Sequence, residues 1–321
     1  MVGGAGYVGG ALVDELIQRG HQVAVYDKLL YENRYLKGVD FIYGDIRERA
    51  KLKAIARDFE TVIWLAALVG DPLCALNPRM TREINQDVPV DFASTYPGKF
   101  VFMSTCSIYG AQDGLLNEES AKNPLSLYAE TKLAAESEIL ARNPSSLVLR
   151  LGTLFGISDT HARLRADLVL NLLVVRAIYG KEVTVFGGQQ FRPLLHVKDV
   201  GLAIIAGVQA DARGAFNLHC ENITIVELAG RIVEANPEVK LNISEQSFQD
   251  SRNYAVSSDK AKNDFGFKPM FSVDFGITEV TETLKEGRFP KILDPSFSNA
   301  DMMRQSLILN ENPLVREVYK I

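Results

Sequence analysis

The chain has 321 residues and a formal net charge of −5, with 47% hydrophobic and 23% charged residues. This composition is typical of a globular protein with enough apolar residues for one large domain or two smaller ones. The acidic balance argues against nucleic-acid binding, and no apolar run approaches the roughly 20 residues that span a bilayer, so no membrane partner is expected. Three widely spaced cysteines (Cys74, Cys106 and Cys220) indicate reduced thiols, and with no leader pattern at the start they predict a cytoplasmic protein.

The chain opens with a glycine-rich segment, MVGGAGYVGG, followed by apolar residues at helical spacing up to Arg19. Gly3 allows a tight turn, Gly6 lets the backbone approach a pyrophosphate, and Gly9 lets the new helix pack closely on a sheet. Only Met1 and Val2 precede this loop, where a strand is expected. We therefore expect that the numbered chain starts inside the natural protein, or that its start was assigned late.

Further strands are predicted at 21–27, 40–46, 60–67, 99–105 and 147–155, with helical patterns near 48–57 and 78–95 between them. Strands that alternate with helices predict an α/β fold with a doubly wound, Rossmann-type parallel sheet, whose first strand is apparently truncated.

The alternation weakens beyond about residue 157, which indicates a smaller mixed C-terminal lobe for a substrate. Helices are predicted there near 165–179, 197–208, 224–236 and 273–286, and strands near 183–186, 215–219 and 239–244. We predict a Rossmann domain, which would bind the dinucleotide, formed by 1–160 plus about 193–221, and a substrate lobe formed by about 161–192 plus 222–300. The remaining residues, 301–321, are predicted to be a polar tail, irregular up to about residue 314.

Asp27 ends the strand that follows the glycine-rich segment, about 20 residues beyond it. A carboxylate at this position binds a ribose 2′-hydroxyl and would repel a 2′-phosphate. Asp27 therefore favours NAD over NADP.

Tyr128 and Lys132 lie one turn apart on a predicted helix. A lysine ammonium beside a phenol favours the phenolate, and a nicotinamide cation would act in the same direction, so we expect a lowered pKa for Tyr128. Thr105, at the end of the strand at 99–105, can hydrogen-bond the same substrate oxygen. Alone, such a pair is often a solvated helix face; beside a glycine-rich loop and parallel strands, the three residues predict a catalytic set.

Together these residues resemble the extended short-chain dehydrogenase/reductase superfamily, in its NAD-dependent nucleotide-sugar epimerase/dehydratase branch. The similarity extends to Asp45-Ile46, Ala66-Ala67, Ser104-Thr105, Tyr109-Gly110 and the segment RPLLHVKD at 192–199. The resemblance implies NAD as the cofactor and a GDP-, UDP-, dTDP- or CDP-linked sugar as the substrate. It also implies a homodimer through the helices at about 78–95 and 127–142, where the outward positions of the second helix would be Leu133, Glu136, Ser137 and Leu140.

The resemblance assigns roles to individual residues. The catalytic set is Thr105, Tyr128 and Lys132. The residues expected to bind the cofactor are Gly3, Gly6, Tyr7, Val8, Gly9, Asp27, Asp45, Ile46, Leu65, Ala66, Ala67, Tyr128, Lys132 and Leu154. The residues expected to bind the substrate are Val69, Ser107, Asn171, Arg192 and Arg252. Arg163 and Arg165 flank this region, and for them we predict surface ion pairs.

Related enzymes share an oxidation at C4 of the sugar and differ in the steps that follow. The similar 4,6-dehydratases carry Asp-Glu directly after the threonine, whereas this chain has Cys106-Ser107, which argues against dehydration. Cys106 is one residue away from the position of an epimerising cysteine in related GDP-sugar enzymes, so we predict a buried, inert thiol.

A 4-epimerase and a 4-dehydrogenase or reductase, with Tyr128 as the base, both stay open. Two further alternatives are a non-catalytic NAD(H)-binding sensor or scaffold, and an enzyme with a non-nucleotide substrate. Arg192 and Arg252 argue against the second of these, because guanidinium groups suit a diphosphate.

Overall fold

The computed structural model describes residues 1–32, 35–244 and 252–311. The strands of these ranges are β1 (Ala24–Asp27), β2 (Asp40–Tyr43), β3 (Thr61–Trp64), β4 (Lys99–Thr105), β5 (Ala111–Leu116), β6 (Leu147–Leu151), β7 (Thr153–Phe155), β8 (Glu182–Phe186), β9 (Phe191–His196), β10 (Gly214–Leu218), β11 (Glu221–Thr224), β12 (Lys240–Ser244) and β13 (Asn253–Val256).

The α-helices of the same ranges are α1 (Tyr7–Gln18), α2 (Arg49–Ala56), α3 (Asp71–Leu76), α4 (Pro78–Arg82), α5 (Val88–Ala93), α6 (Leu127–Arg142), α7 (Val169–Val175), α8 (Val197–Gln209), α9 (Ile225–Glu234), α10 (Asp259–Phe265), α11 (Val273–Lys285) and α12 (Asn299–Glu311). Short π-helical turns at Glu83–Asp87 and Arg176–Gly180 follow α4 and α7. Among these residues no helix has the length and apolar character needed to cross a membrane.

The central sheet is parallel throughout, with the strand order β2–β1–β3–β4–β6–β10. Val2 lies between β1 and β3 and forms parallel bridges to Tyr26 and Trp64. The helices that connect these strands cover both faces of the sheet. The prediction of a doubly wound α/β fold is therefore confirmed.

Met1 and Val2 occupy the slot between β1 and β3 where a longer strand was expected. The Val2 amide donates to the Ile63 carbonyl at 2.9 Å, and the Met1 carbonyl accepts from the Tyr26 amide at 2.8 Å. Both neighbouring strands thus have backbone partners at the carboxyl end of the slot. This pairing fixes the glycine-rich loop at the edge of the sheet where parallel strands bind ligands.

Two apolar cores hold the helices against the sheet. Along β4, Phe100 and Phe102 pack on one face, whereas Val101 and Met103 pack on the other, because successive side chains of a strand point to opposite faces. The first core is shared with α2, α5 and α6, and the second with α1, α8 and α10.

A third apolar core lies in the C-terminal half of the chain and joins residues of α7, β8, α9 and α11. Its strands form small sheets, in which β9 pairs with β7 and β11, and β12 pairs with β8. The sequence pattern did not indicate β9, because Arg192 and Pro193 interrupt its apolar residues. The boundaries proposed for the two domains stay a prediction.

Two predicted elements differ from the structure. The helix predicted at 165–179 begins only at Val169, because the preceding residues form an irregular loop that borders a cavity. Residues 299–311 of the supposedly irregular C-terminal segment form α12, whose first turn packs on that cavity. The rest of the predicted tail, 312–321, lies outside the described residues.

Candidate active site

A cavity of about 780 Å³ lies at the carboxyl edge of the central sheet. Its wall contains the glycine-rich loop, the ends of β1, β4 and β6, the first turns of α3 and α6, and the loop before α7. All of the predicted cofactor-binding and catalytic residues line it, and so do four of the five predicted substrate-binding residues. Segments that are far apart in sequence therefore meet around one volume large enough for a cofactor and a substrate.

The glycine-rich loop has the geometry expected of a phosphate-binding turn. Gly3 has φ of +79°, and a Cβ atom there would lie 2.4 Å from the Ala66 amide nitrogen. A Cβ atom at Gly9 would lie 2.2 Å from the Gly4 carbonyl oxygen. At Gly6, by contrast, a Cβ atom would meet the protein only at 3.5 Å. Packing within the protein thus requires glycine at the first and third positions and leaves the second open towards a ligand.

Tyr7 anchors this loop to the segment after β7. Its hydroxyl donates to the Gly156 carbonyl at 2.5 Å, and burial raises the pKa of the phenol, so it stays a donor. Ser158 donates to the Tyr7 carbonyl at 2.5 Å and accepts from the Ala11 amide at 3.1 Å. The start of α1 is therefore held in place from both sides before any cofactor binds.

Two carboxylates border the end of the cavity near β1 and β2. Asp27 accepts hydrogen bonds from the amides of Ala5 at 3.0 Å and Leu29 at 2.8 Å, while burial raises the pKa of its carboxyl group. Asp45 is paired with Arg47 at 2.7 Å and Lys28 at 2.8 Å, and the hydrogen bonds from Arg47 hold the pKa of Asp45 well below its usual range. Of these two carboxylates, Asp27 is the one without an ion-pair partner among the described residues, as expected of a ribose ligand.

The predicted catalytic side chains come together on one wall of the cavity. Thr105 ends β4, and Tyr128 and Lys132 lie on α6, whose N-cap is the Ser126 hydroxyl. Lys132 is only 3% exposed, and its ammonium lies 4.4 Å from the centroid of the Phe102 ring. Burial lowers the pKa of Lys132 to about 8.

The pKa expected for Tyr128 differs from the one found. Burial raises the pKa of Tyr128, and the negative charge of Asp71 acts in the same direction, whereas a hydrogen bond with Thr105 and the charge of Arg165 lower it. The pKa of Tyr128 is raised because desolvation of the phenolate outweighs the effect of the nearby cations of the chain.

A buried ion pair fixes α6 to the central sheet. Glu136, one turn beyond Lys132, is 2% exposed and accepts from the Arg150 guanidinium at 2.5 Å and the Ser104 hydroxyl at 2.7 Å. The expectation that Glu136 faces outward is therefore wrong: the helix turns this position towards β4 and β6. The spacing of four residues after Lys132 was the signal that could have placed it on the inner face.

Arg192 and Arg252 also line the cavity. The Arg192 guanidinium donates to the carbonyls of Phe191 and Arg252, which ties β9 to the start of β13. Arg252 pairs with Asp71 at 3.1 Å, and Asp71 also accepts from the Ser126 hydroxyl at 2.6 Å. Asp71 thus connects a predicted substrate arginine to the N-cap of α6, a link that the sequence did not reveal.

Arg163 and Arg165 were expected to form surface ion pairs, and this expectation is wrong. Both line the cavity, and Arg165 is buried and pairs with Asp167 at 2.6 Å. Arg163 donates to the Asn299 side-chain carbonyl and lies 5.1 Å from the centroid of the Tyr31 ring. The loop before α7 folds inward, so it brings two cations to the cavity that spacing alone did not place there.

Asn171 is the one predicted site residue that does not line the cavity. It is fully buried, its side-chain carbonyl accepts from the Gly156 amide at 3.0 Å, and its amide donates to the Arg165 carbonyl at 3.0 Å. Asn171 is therefore not placed to contact a substrate in the cavity. Its hydrogen bonds instead join the loops that contain Gly156 and Arg165.

Cys106 and Ser107 follow Thr105 in a single 3₁₀ turn. Cys106 is fully buried, its thiol donates to the Arg150 carbonyl, and burial raises its pKa. Ser107 lies 3.2 Å from the Tyr254 hydroxyl. The prediction of a buried, inert thiol at Cys106 fits this environment, since a thiolate there would be strongly desolvated.

Comparisons with known proteins agree with this geometry. The model of the NAD-dependent epimerase/dehydratase family matches residues 1–218. The UDP-glucose 4-epimerase of Rhizobium meliloti is 27% identical over 305 residues, which cover 85% of this chain and 92% of that protein.

Solved structures extend the comparison to the fold. The UDP-glucose 4-epimerase of Thermotoga maritima, determined with UDP-glucose, matches 89% of this chain and 97% of its own, with 25% identity and a TM-score of 0.78. MoeE5, in complex with UDP-glucuronic acid and NAD, matches 89% of this chain and 98% of its own, with 25% identity and a TM-score of 0.76. With a family model that covers more than half of its residues and a cavity built as described, this chain belongs to the NAD-dependent epimerase/dehydratase family, whose cofactor is NAD.

Proposed function

We propose that the protein is a UDP-sugar 4-epimerase. The observation that carries this proposal is the convergence of Thr105, Tyr128 and Lys132 on one cavity wall, with a buried thiol and a hydroxyl directly after Thr105 instead of a pair of carboxylates. A set of this kind can move the C4 hydroxyl proton but has no adjacent acid–base pair for eliminating water.

Tyr128 is the proposed general base for the C4 hydroxyl, with Thr105 as a hydrogen-bonding partner for the same oxygen. Lys132, whose pKa of about 8 makes it mostly cationic at neutral pH, stabilises the phenolate. NAD, when bound, supplies the hydride acceptor and donor at C4. Asp27, Gly6 and the other predicted cofactor residues would hold it along the carboxyl edge of the sheet.

Arg192 and Arg252 are the proposed ligands of the substrate's diphosphate, since both guanidinium groups border the same end of the cavity. Val69 and Ser107 border the sugar. The choice of UDP among the four possible nucleotides rests on the two UDP-glucose 4-epimerases described above.

The second candidate is a dehydrogenase that releases NADH. The two related 4-epimerases favour epimerisation over this alternative. A non-catalytic sensor is less well supported, because Tyr128 and Lys132 are both present and both line the cavity.

We also propose a cytoplasmic homodimer that pairs α4, α5 and α6 of each copy. These helices pack together in one chain, and light scattering would measure the mass of the assembly.

The experiment that tests the function is incubation of the purified protein with UDP-glucose and UDP-glucuronic acid, with and without added NAD. Product stereochemistry at C4 is followed by NMR and NADH by absorbance. A C4-inverted sugar without net NADH is expected; stoichiometric NADH would establish the dehydrogenase instead, and a 4-keto-6-deoxy sugar would contradict the reasoning from Cys106 and Ser107.

A matched pair of variants links the activity to the site. Tyr128→Phe is expected to lower turnover by a factor of about 10²–10⁴ and to leave NAD binding intact. Tyr43→Phe, at an exposed position of β2, is the control and should retain full turnover. Equal turnover in the two variants would refute the enzyme proposed here.

A further inference from the structure

The C-terminal helix α12 lies beyond the residues matched by the family model and yet borders the cavity. Ser298, Asn299 and Ala300, at its start, are part of the cavity wall. The family resemblance assigns no role to this part of the cavity wall.

Hydrogen bonds fix the first turn of α12 to the loop before α7. The Asn299 amide donates to the Asp167 carboxylate at 3.1 Å, and its side-chain carbonyl accepts from Arg163. The Ala166 amide donates to the Phe297 carbonyl at 3.0 Å. These contacts hold the start of α12 beside Arg163 and Arg165, which also line the cavity.

Apolar contacts fix the next turn of α12 to a cluster that Tyr128 also contacts. Met303 is 7% exposed and forms a cluster with Leu68, Leu73 and Cys74, which come from the segment after β3. Tyr128 and Ala300 pack against the same cluster. Ala300 and Met303 are three residues apart, so one face of α12 packs on the apolar cluster that Tyr128 also contacts.

We propose that α12 forms one wall of the sugar-binding part of the cavity and that the small side chain of Ala300 leaves the volume that the sugar occupies there. This inference rests on the proposed function, because it takes Tyr128 to mark the position of the reacting sugar. The small side chain matters, since a methyl group leaves cavity volume that a ring at this position would occupy.

Substitution at Ala300 tests the proposal by comparing ligands with and without a sugar. UDP, UDP-glucose and UDP-glucuronic acid are titrated into NAD-saturated protein by calorimetry. Ala300→Phe is expected to weaken binding of both UDP-sugars by at least about tenfold, equal to about 1.4 kcal/mol, while UDP affinity changes less than about twofold. Gln305→Phe, on the exposed face of the same helix, should change none of the three affinities.

Two results would overturn the proposal: unchanged UDP-sugar affinity in Ala300→Phe, or an equal loss for UDP and the UDP-sugars. If Ala300→Phe fails to fold, as judged by circular dichroism, Ala300→Leu replaces it with the same expectations. Failure of the wild-type protein to bind any UDP-sugar would instead show that the proposed function is wrong.

A second measurement tests the position of α12 without a sugar ligand. Met303→Ala should speed the modification of Cys74 by a thiol reagent at least about tenfold, detected by peptide mass mapping, because Met303 covers the cluster that contains Cys74. Arg304→Ala, on the exposed side of α12, should leave the rate unchanged. Equal rates in the two variants would place α12 away from the cavity and overturn the inference.

Discussion

The buried ion pair between Glu136 and Arg150 tests how α6, which carries Tyr128 and Lys132, is fixed to the central sheet. Glu136→Gln keeps the shape of the side chain but removes its charge, so the Arg150 guanidinium stays buried without a counter-ion. In the wild type this carboxylate accepts two hydrogen bonds from Arg150 Nε, at 3.0 and 3.2 Å, one from Nη2 at 2.5 Å and one from Ser104 at 2.7 Å. The substitution therefore breaks the pair without creating a cavity.

Removal of one partner from a buried ion pair costs about 3–5 kcal/mol in the free energy of unfolding. Unfolding entropy near the midpoint is about 2.1 cal/mol/K per residue, so in a chain of 321 residues this loss corresponds to a decrease in Tm of about 4–7 °C. Glu138 provides the control on the same helix. Its pair with Arg142 is half exposed, with side-chain exposures of 40% and 54%, and is worth about 0.3–0.5 kcal/mol, which is less than about 1 °C.

Thermal unfolding of Glu136→Gln and Glu138→Gln, followed by circular dichroism under identical conditions, measures both decreases in Tm. A decrease for Glu136→Gln no larger than that of Glu138→Gln would refute the account of the pair. Turnover measured well below the Tm adds a second readout. The Glu136 charge raises the pKa of Lys132, so its removal should lower that pKa below about 8 and reduce the cationic fraction of Lys132 at neutral pH.

Three further predictions follow from the cavity. The charge of Asp71 adds to the effect of burial in raising the pKa of Tyr128, and Asp71→Asn removes that charge. The acid limb of the pH profile of kcat/KM should therefore move to lower pH, and an unchanged profile would contradict this link. Gly3→Ala should destabilise the protein by about 1–3 kcal/mol in thermal unfolding and weaken NAD binding in calorimetry, because its φ is +79°, whereas Gly230→Ala, in open space within α9, should stabilise it by up to about 1 kcal/mol. Asp27→Asn should narrow the preference for NAD over NADP by about tenfold in binding measurements, and an unchanged preference would assign that role elsewhere.

The fold and the cofactor site could be predicted from the sequence because their signals are local. Three glycines at fixed spacing, a strand that ends in Asp27, and Tyr128 four residues before Lys132 each encode a short piece of backbone geometry. Parallel strands place all of their carboxyl ends at one edge, so residues at strand ends converge without further information. The sequence by itself therefore determined the α/β class and which residues would line the cavity near the cofactor.

The contacts that complete the cavity depend on which distant segments pack against each other. Arg163 meets Asn299 across 136 positions, and Arg252 meets Asp71 through the pairing of β13 with β5 and the packing of α3 on α6. The side-chain amide of Asn171 could bind a ligand, but it hydrogen-bonds buried backbone groups of Gly156 and Arg165 instead. Tertiary structure alone decided these roles, because burial and hydrogen-bond partners are set by long-range packing and leave no period or motif in the local sequence.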